Sequence, residues 1–214
     1  MENRDYTTSD KLLINLDQAL RTLFGRPLVT ERPDPSRALP EAELDERARD
    51  HVGRLMRINH TGEVCAQALY QGQALAARDP RVRESMEASA REENDHLDWC
   101  ERRARELGKG TSLLNPLWYA GSFALGAVAG VAGDKWSLGF VAETERQVEN
   151  HLDRHLAEIP ASDQRSRAIL EQMREDEIEH GQKARRLGGV DLPAPVKGAM
   201  KLMSKVMTAS VYRI

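Results

Sequence analysis

The sequence predicts an all-α protein built on four long helices, and three observations carry that expectation. No stretch of useful length alternates apolar and polar residues as a half-buried strand would. Aromatic residues make up only 5% of the chain while Ala, Leu, Glu and Arg abound, a composition suited to helices rather than to a sandwich or barrel. Inward-facing residues also recur at helical spacing through four segments, each bounded by proline, glycine or a capping side chain.

The elements follow in order. Leu12, Leu13, Leu16, Leu20, Leu23 and Phe24 share one face of a first, amphipathic helix that Gly25 ends. The segment "RPLVTERPDPSRALP" holds four of the nine prolines and reads as an extended linker. Pro40 stands where helices tend to begin, so the first bundle helix is expected from about Glu41 to Arg78, with Asp79-Pro80 stopping it. A second covers about Arg81 to Leu107, ended by Gly108. A third runs from about Lys135 to Ile159, closed by Pro160. Ser162 can cap the fourth, which ends at Gly188-Gly189. The closing "APVKGAMKLMSKVMTASVYRI" is a further amphipathic helix. Residues 1–40 thus read as an N-terminal helix and Pro-rich linker, and 41–214 as one catalytic domain.

A chain of 214 residues can bury a substantial core. Its net charge of −3 gives no reason to expect a nucleic-acid partner. Cys65 and Cys100 form no CxxC pair, which favours a reducing compartment and a role as small apolar groups. The opening "MENRDYTTSD" is polar and carries both charge signs, unlike a signal peptide. From Gly110 to Gly133 no charge occurs across 24 residues, which is long enough to span a bilayer. Asn115-Pro116 interrupts it and glycine and alanine dilute it, so a buried hairpin helix is expected instead. Gly126 and Gly130 form a GxxxG that points to close helix contact, and Trp118 and Trp136 bracket the stretch.

The chemistry lies in the inward faces. In the fourth bundle helix Leu170, Met173, Ala184 and Leu187 mark a stripe whose missing steps are Glu177 and His180, within "EDEIEH". Glu175, Asp176 and Glu179 fall off that stripe and read as a solvated charge run. In the second helix Met86, Ala90, Leu97, Cys100, Ala104 and Leu107 trace a face that carries Glu93, with His96 three residues on in "EENDHL". Residues three apart share a helix face, so both Glu-x-x-His pairs converge inward. Glu63 lies on the stripe of Met56, Asn59, Ala66, Tyr70 and Ala74, and Glu145 on that of Val141, Val148, Leu152 and Ile159. Glu63 precedes Glu93 by 30 residues and Glu145 precedes Glu177 by 32, a weak pseudo-repeat.

Four buried carboxylates without counterions would cost many kcal/mol or would have to protonate, and no arginine shares their faces. A pair of metal ions resolves this. Four Glu and two His in this order are the ligand set of a ferritin-like carboxylate-bridged dimetal centre. Glu93 and Glu177 would bridge, Glu63 and Glu145 would be terminal, and His96 and His180 would cap one metal each. Oxygen and imidazole donors suit iron or manganese.

Other candidates read more plainly. His51 and His60 lack an acidic neighbour at ligand spacing and read as surface or helix-packing residues. His151, six residues after Glu145, lies near the metal face and suits a supporting or channel role. Tyr70 could bond near the site, although a core tyrosine accounts for it. Lys197, Lys201 and Lys205 form a basic stripe beside an apolar face of Val196, Ala199, Met203, Val206 and Met207, as on a helix that lies on an anionic bilayer.

The segments "MRINHTGEVCAQALYQGQ", "EENDHL", "NPLWYAGSFALGA" and "EDEIEHG", in this order, closely resemble the demethoxyubiquinone hydroxylase family of ubiquinone biosynthesis. The likeness runs from about Arg54 to the C-terminus, and the longer N-terminal segment resembles the bacterial branch. The resemblance implies a di-iron monooxygenase that hydroxylates the ring of a polyprenylated methoxy-methyl-benzoquinol with O2 and a reductant, for which NADH is the candidate. It implies two iron ions on Glu63, Glu93, His96, Glu145, Glu177 and His180, with Glu145 preferred over Glu143 by alignment of "AETERQVENHL". It further implies a peripheral place on the cytoplasmic side of the cell membrane, partner proteins of ubiquinone biosynthesis, and assembly as a homo-oligomer. Where the family often has His-Tyr in the third bundle helix, this chain has His151-Leu152. The rival readings are ferritin- or rubrerythrin-like iron oxidation or peroxide scavenging, and a membrane scaffold with a structural metal.

Overall fold

A computed structural model describes residues 7–30 and 32–214, which form seven helices and, among the described residues, no strand. They are α1 (Thr8–Phe24), α2 (Glu46–Ala76), α3 (Pro80–Glu106), α4 (Asn115–Val131), α5 (Asp134–Glu158), α6 (Gln164–Arg186) and α7 (Ala194–Val211). Two hairpin pairs, α2–α3 and α5–α6, make a ferritin-like bundle, and α4 carries the chain between them along the flank of α2.

Capping side chains place the starts of α1, α2, α3 and α6, and three of these differ from expectation. α2 begins at Glu46, not near Pro40, because the Asp45 carboxylate accepts the Ala48 amide at 2.8 Å and proline has no such acceptor. Glu41 meanwhile faces away to bind Arg103 and Arg165, at 2.7 and 2.8 Å. Asp79-Pro80 starts α3 rather than stopping α2, with Asp79 accepting the Arg81 amide and Pro80 in the first turn. α6 is capped by Asp163, not Ser162. Asp163 is fully buried against the equally buried Arg103 guanidinium, which needs its charge, and it also accepts the Ser166 amide. Leu187 leaves the inward stripe because α6 has already ended at Arg186.

The uncharged segment is half-buried rather than buried. The α4 edge carrying Asn115, Tyr119, Gly126 and Gly130 is covered, whereas Leu117, Val128 and Val131 are exposed on the opposite side. The GxxxG does bring helices together: a methyl group on Gly126 would strike the Leu69 carbonyl oxygen, and one on Gly72 the Phe123 carbonyl oxygen. At the head of α4, Thr61 donates to Asn115 Oδ1 at 2.8 Å, and Asn115 Nδ2 lies 3.5 Å from Nδ1 of the buried His60. At its foot Gly133, at φ 112°, turns the chain into α5, where Asp134 accepts the amides of Arg78 and Asp79. No helix among the described residues is long and apolar enough to cross a membrane.

On α1 the apolar stripe is largely uncovered. Ala19 and Leu23 pack toward Tyr119 and Phe123, while Leu13, Leu16, Leu20 and Phe24 face out, and the side chain of Leu12 lies outside the described residues. At the C-terminus Val211 is buried and the Tyr212 hydroxyl meets His51 Nδ1 at 2.8 Å. His51 Nε2 also lies 3.2 Å from Glu158, an acidic neighbour supplied by another helix.

Two apolar clusters fill the bundle. One gathers Val52, Met56, Cys100, Leu152, Leu170 and Met173, and the other gathers Tyr70, Met86, Leu138, Val141 and Ala184. The polar centre lies between them.

Candidate metal centre

The six expected side chains converge in that layer. Glu63 comes from α2, Glu93 and His96 from α3, Glu145 from α5, and Glu177 and His180 from α6, each no more than 3% exposed. They form two groups that share Glu93 and Glu177. Glu63 and His96 complete one and Glu145 and His180 the other, with one donor atom from each residue within 4.8 Å of the rest.

Each shared carboxylate spans both groups. Glu93 places Oε2 at 2.9 Å from His96 Nδ1 and Oε1 at 3.2 Å from His180 Nδ1. Glu177 places Oε1 at 3.5 Å from His96 Nδ1 and Oε2 at 3.6 Å from His180 Nδ1. Both imidazoles thus turn Nδ1 inward. Their outer nitrogens are held by carboxylates: His96 Nε2 lies 2.8 Å from Asp176 Oδ2, and His180 Nε2 lies 2.6 Å from Glu92 Oε2. A proton on Nε2 directed at a carboxylate leaves the Nδ1 lone pair for a metal.

The electrostatics call for a cation. Burial, with the charge of Glu93 added, raises Glu63 well above the ordinary carboxylate range. Burial and the charge of Glu177 do the same to Glu145. Burial would raise Glu93 too, but the two imidazoles beside it hold it below its ordinary value. Glu93 Oε1, Glu145 Oε2, Glu177 Oε2 and His180 Nδ1 are buried without a hydrogen-bond partner. Such orphaned acceptors are costly unless something unseen satisfies them. Two divalent cations would do so, and the oxygen-rich donor set with one imidazole per group fits iron. Glu143 is buried as well, but Arg146 and Gln147 occupy its oxygens, so of these two carboxylates Glu145 is the one with an unpartnered oxygen.

Residues 50–211 match the family described as "Ubiquinone biosynthesis protein COQ7". The chain belongs to that family. It is similar to the 3-demethoxyubiquinol 3-hydroxylase of Nitrosococcus oceani, 57% identical over 214 residues and the whole of both chains. It is also similar to the protein of that name in Stutzerimonas stutzeri, 59% identical over 211 residues and 99% of this chain and 98% of the other. The Dechloromonas aromatica protein of that name is 58% identical over 204 residues, 95% of this chain and 98% of the other.

A mainly apolar cavity of about 150 Å³ reaches Glu63, Glu145 and Glu177 from between α2, α4, α5 and α7. Trp118, Phe140, Met200, Met203 and Met207 are among its walls, so the apolar face of α7 lines its side. His151 also lines it, as the channel reading expected. Its Nε2 is buried without a partner, while Arg154 Nη2 lies 3.5 Å from its Nδ1. Burial depresses this imidazole to about 4, so it is neutral at pH 7.

Four residues near the centre escaped the sequence reading or were misread, the first being Glu92 behind His180. Tyr70 is more than a core tyrosine, since its hydroxyl donates to Glu145 Oε1 at 2.5 Å. Asp176 is not solvated: it is turned back to His96 by a tertiary contact that no spacing rule along α6 encodes. His155 of α5 is buried with Nδ1 at 2.9 Å from Asn59 Oδ1 and lies against His151 at 3.9 Å between ring centroids, the rings tilted by 58°. A His at 151 and another four residues later was the one signal that could have flagged that pair.

Proposed function

We propose that the protein is a 3-demethoxyubiquinol 3-hydroxylase, a di-iron monooxygenase that adds one hydroxyl group to the ring of a polyprenylated quinol in ubiquinone biosynthesis. The single observation that carries this is the apolar cavity opening directly onto Glu63, Glu145 and Glu177. A centre built to oxidise dissolved iron would have polar access, whereas a hydrocarbon-tailed ring needs an apolar one.

Glu63, Glu93, His96 and Glu177 would hold one iron ion and Glu93, Glu145, Glu177 and His180 the other, each imidazole offering Nδ1. When bound, an iron pair would supply O2 activation, with one oxygen atom going to the ring and the other leaving as water once two electrons from a donor such as NADH and two protons are taken up. The chain's own residues prepare that event. Tyr70 holds Glu145 Oε1, leaving Oε2 for the metal. With Arg154 donating to Nδ1, His151 carries its proton on Nε2 and can donate it to a ring oxygen, orienting the head group. Cys65, Ala66 and Leu69 line the cavity and exclude water around the ring.

The same reading puts the protein against the cytoplasmic face of the cell membrane, where its substrate resides. Residues 41–214 would form the catalytic body and residues 1–40 an appended arm, with other ubiquinone-biosynthesis proteins and further copies of the chain as partners. Leu117, Val128 and Val131 of α4, with Leu202, Met203 and Val206 of α7, expose apolar surface on two helices that also line the cavity, and the exposed Lys201 and Lys205 lie on α7 with them. Leu202→Glu with Val206→Glu is expected to abolish sedimentation with anionic vesicles, and unchanged sedimentation would refute membrane docking through α7.

The experiment that tests the activity is anaerobic loading with two equivalents of Fe(II), addition of the quinol and reductant, and exposure to 18O2. One labelled oxygen in the ring is expected. Oxidation of iron without a labelled product would favour the ferritin-like alternative.

A further inference from the structure

The Pro-rich segment ahead of α2 is bound to the outside of the metal centre. The Thr30 amide donates to Asp95 Oδ1 at 2.7 Å, the Thr30 hydroxyl donates to Asp95 Oδ2, and Arg32 Nε donates to Asp95 Oδ2 at 2.9 Å. The other side of the same guanidinium reaches inward: Arg32 Nη1 lies 2.9 Å from Asp176 Oδ2, the atom that holds His96 Nε2. Gln172 donates to the remaining oxygen, Oδ1, at 3.0 Å. Arg32 also covers Trp99, 5.2 Å from the ring centroid, and Trp99 lies 5.6 Å from the His96 ring.

The other half of the centre is built differently. Glu92, which holds His180, is 42% exposed in its side chain, and among the described residues its hydrogen bond is to His180 alone. Asp176 is 12% exposed and held from three sides. A carboxylate behind a metal-binding imidazole fixes the ring and raises its basicity, and the more firmly it is held the less orientation is lost. Arginine suits this task because its planar fork can serve two carboxylates at once.

We propose that Arg32 is a positioning residue that fixes Asp176, so that His96 presents Nδ1 to the metal on the Glu63 side and that metal is held more tightly than the one on the Glu145 side. Resting on the dimetal reading above, the assignment adds that residues before the matched region at 50–211 complete the centre. Arg32 adds a positive charge three groups from the metal, yet with Asp95 and Asp176 the set remains net negative, so the gain in orientation prevails.

The test is titration of the metal-free full-length protein with Co(II) under anaerobic conditions, following the visible absorption of each bound ion. Wild type is expected to bind two ions with distinct constants. Arg32→Ala is expected to weaken the tighter one by about tenfold, at the low end of what removing an outer partner of a metal-bound histidine costs, and to leave the weaker one in place. Arg32→Lys keeps the charge without the fork, so it should recover only part of the loss and serves in place of alanine if circular dichroism shows that Arg32→Ala has lost helix. A mere tether would lower stability and leave both constants and both spectra as in wild type, and that result overturns the assignment. A wild-type protein that binds no Co(II) would instead overturn the dimetal reading, and the role of Arg32 with it.

Discussion

The Tyr70 hydroxyl donates to Glu145 Oε1 at 2.5 Å, and the other oxygen of that carboxylate is buried without a partner. Burial first, and then the charge of Glu145, push the phenol well above its ordinary value, so it remains a donor at every working pH. Tyr70→Phe keeps the ring, which lies edge-on to His180 at 6.3 Å between centroids, and removes only the hydrogen bond. The expected outcome is a loss of about 10–100-fold in affinity for the metal on the Glu145 side, seen as one rather than two ions per chain after dialysis. This is the opposite half from the one that Arg32 serves. Equal loss of both ions would contradict the division of the site.

Gly62 sits in the middle of α2, beside Glu63, with nothing within 4 Å of where a Cβ would be, and it lines the cavity. Glycine costs about 1 kcal/mol relative to alanine in a helix interior. Gly62→Ala is therefore expected to raise Tm by roughly 2–4 °C, while the added methyl narrows the cavity and lowers kcat/KM for the quinol. Thermal unfolding and steady-state assays on one preparation would check both signs. A raised Tm with unchanged kinetics would show that the ring does not approach this wall.

Gly126 and Gly121 offer a paired comparison within α4. Alanine at Gly126 must displace the Leu69 backbone and should cost about 1–3 kcal/mol, whereas Gly121 meets nothing and should gain up to about 1 kcal/mol. Urea unfolding of the two variants measures the difference directly. Similar effects at both positions would deny the close α2–α4 contact.

Burial lowers His60 to about 4 from an ordinary 6.5, the charge of Arg105 adding to the effect. The unfolded chain therefore binds more protons than the folded one between these values. The stability associated with a neutral His60 is complete above about pH 6.5 and is lost as pH falls toward 4, by at most about 1.4 kcal/mol per unit. His60→Gln should flatten this part of the stability–pH curve, since other titrating groups are common to both proteins. Parallel curves between pH 6.5 and 4.5 would mean that His60 takes up its proton alike in the folded and unfolded states.

Helix periodicity reveals faces, and faces were enough for much of this protein. The four bundle helices and the six inward-facing side chains were legible because each rests on residues three, four or seven apart along one helix. Asp176 was misread for the same reason. Its position on α6 is off the stripe, and only the approach of α3 brings His96 to it at 2.8 Å. The start of α2 was misplaced because a capping side chain, Asp45, outweighs a proline whose neighbour Glu41 is occupied elsewhere. The uncharged stretch was rightly read as no membrane span, yet its apolar outer face could not be foreseen, since hydropathy does not say which side of a helix will be covered.

By itself, then, the sequence determined the helices, their inward carboxylates and the close contacts of Gly126 and Gly130, since these depend on local periodicity and side-chain size. Tertiary structure alone decided which carboxylate stands behind each histidine, which tyrosine holds Glu145, and where the apolar cavity meets the centre. Those are meetings between different helices, set by how the faces pack, and no spacing within one helix encodes them.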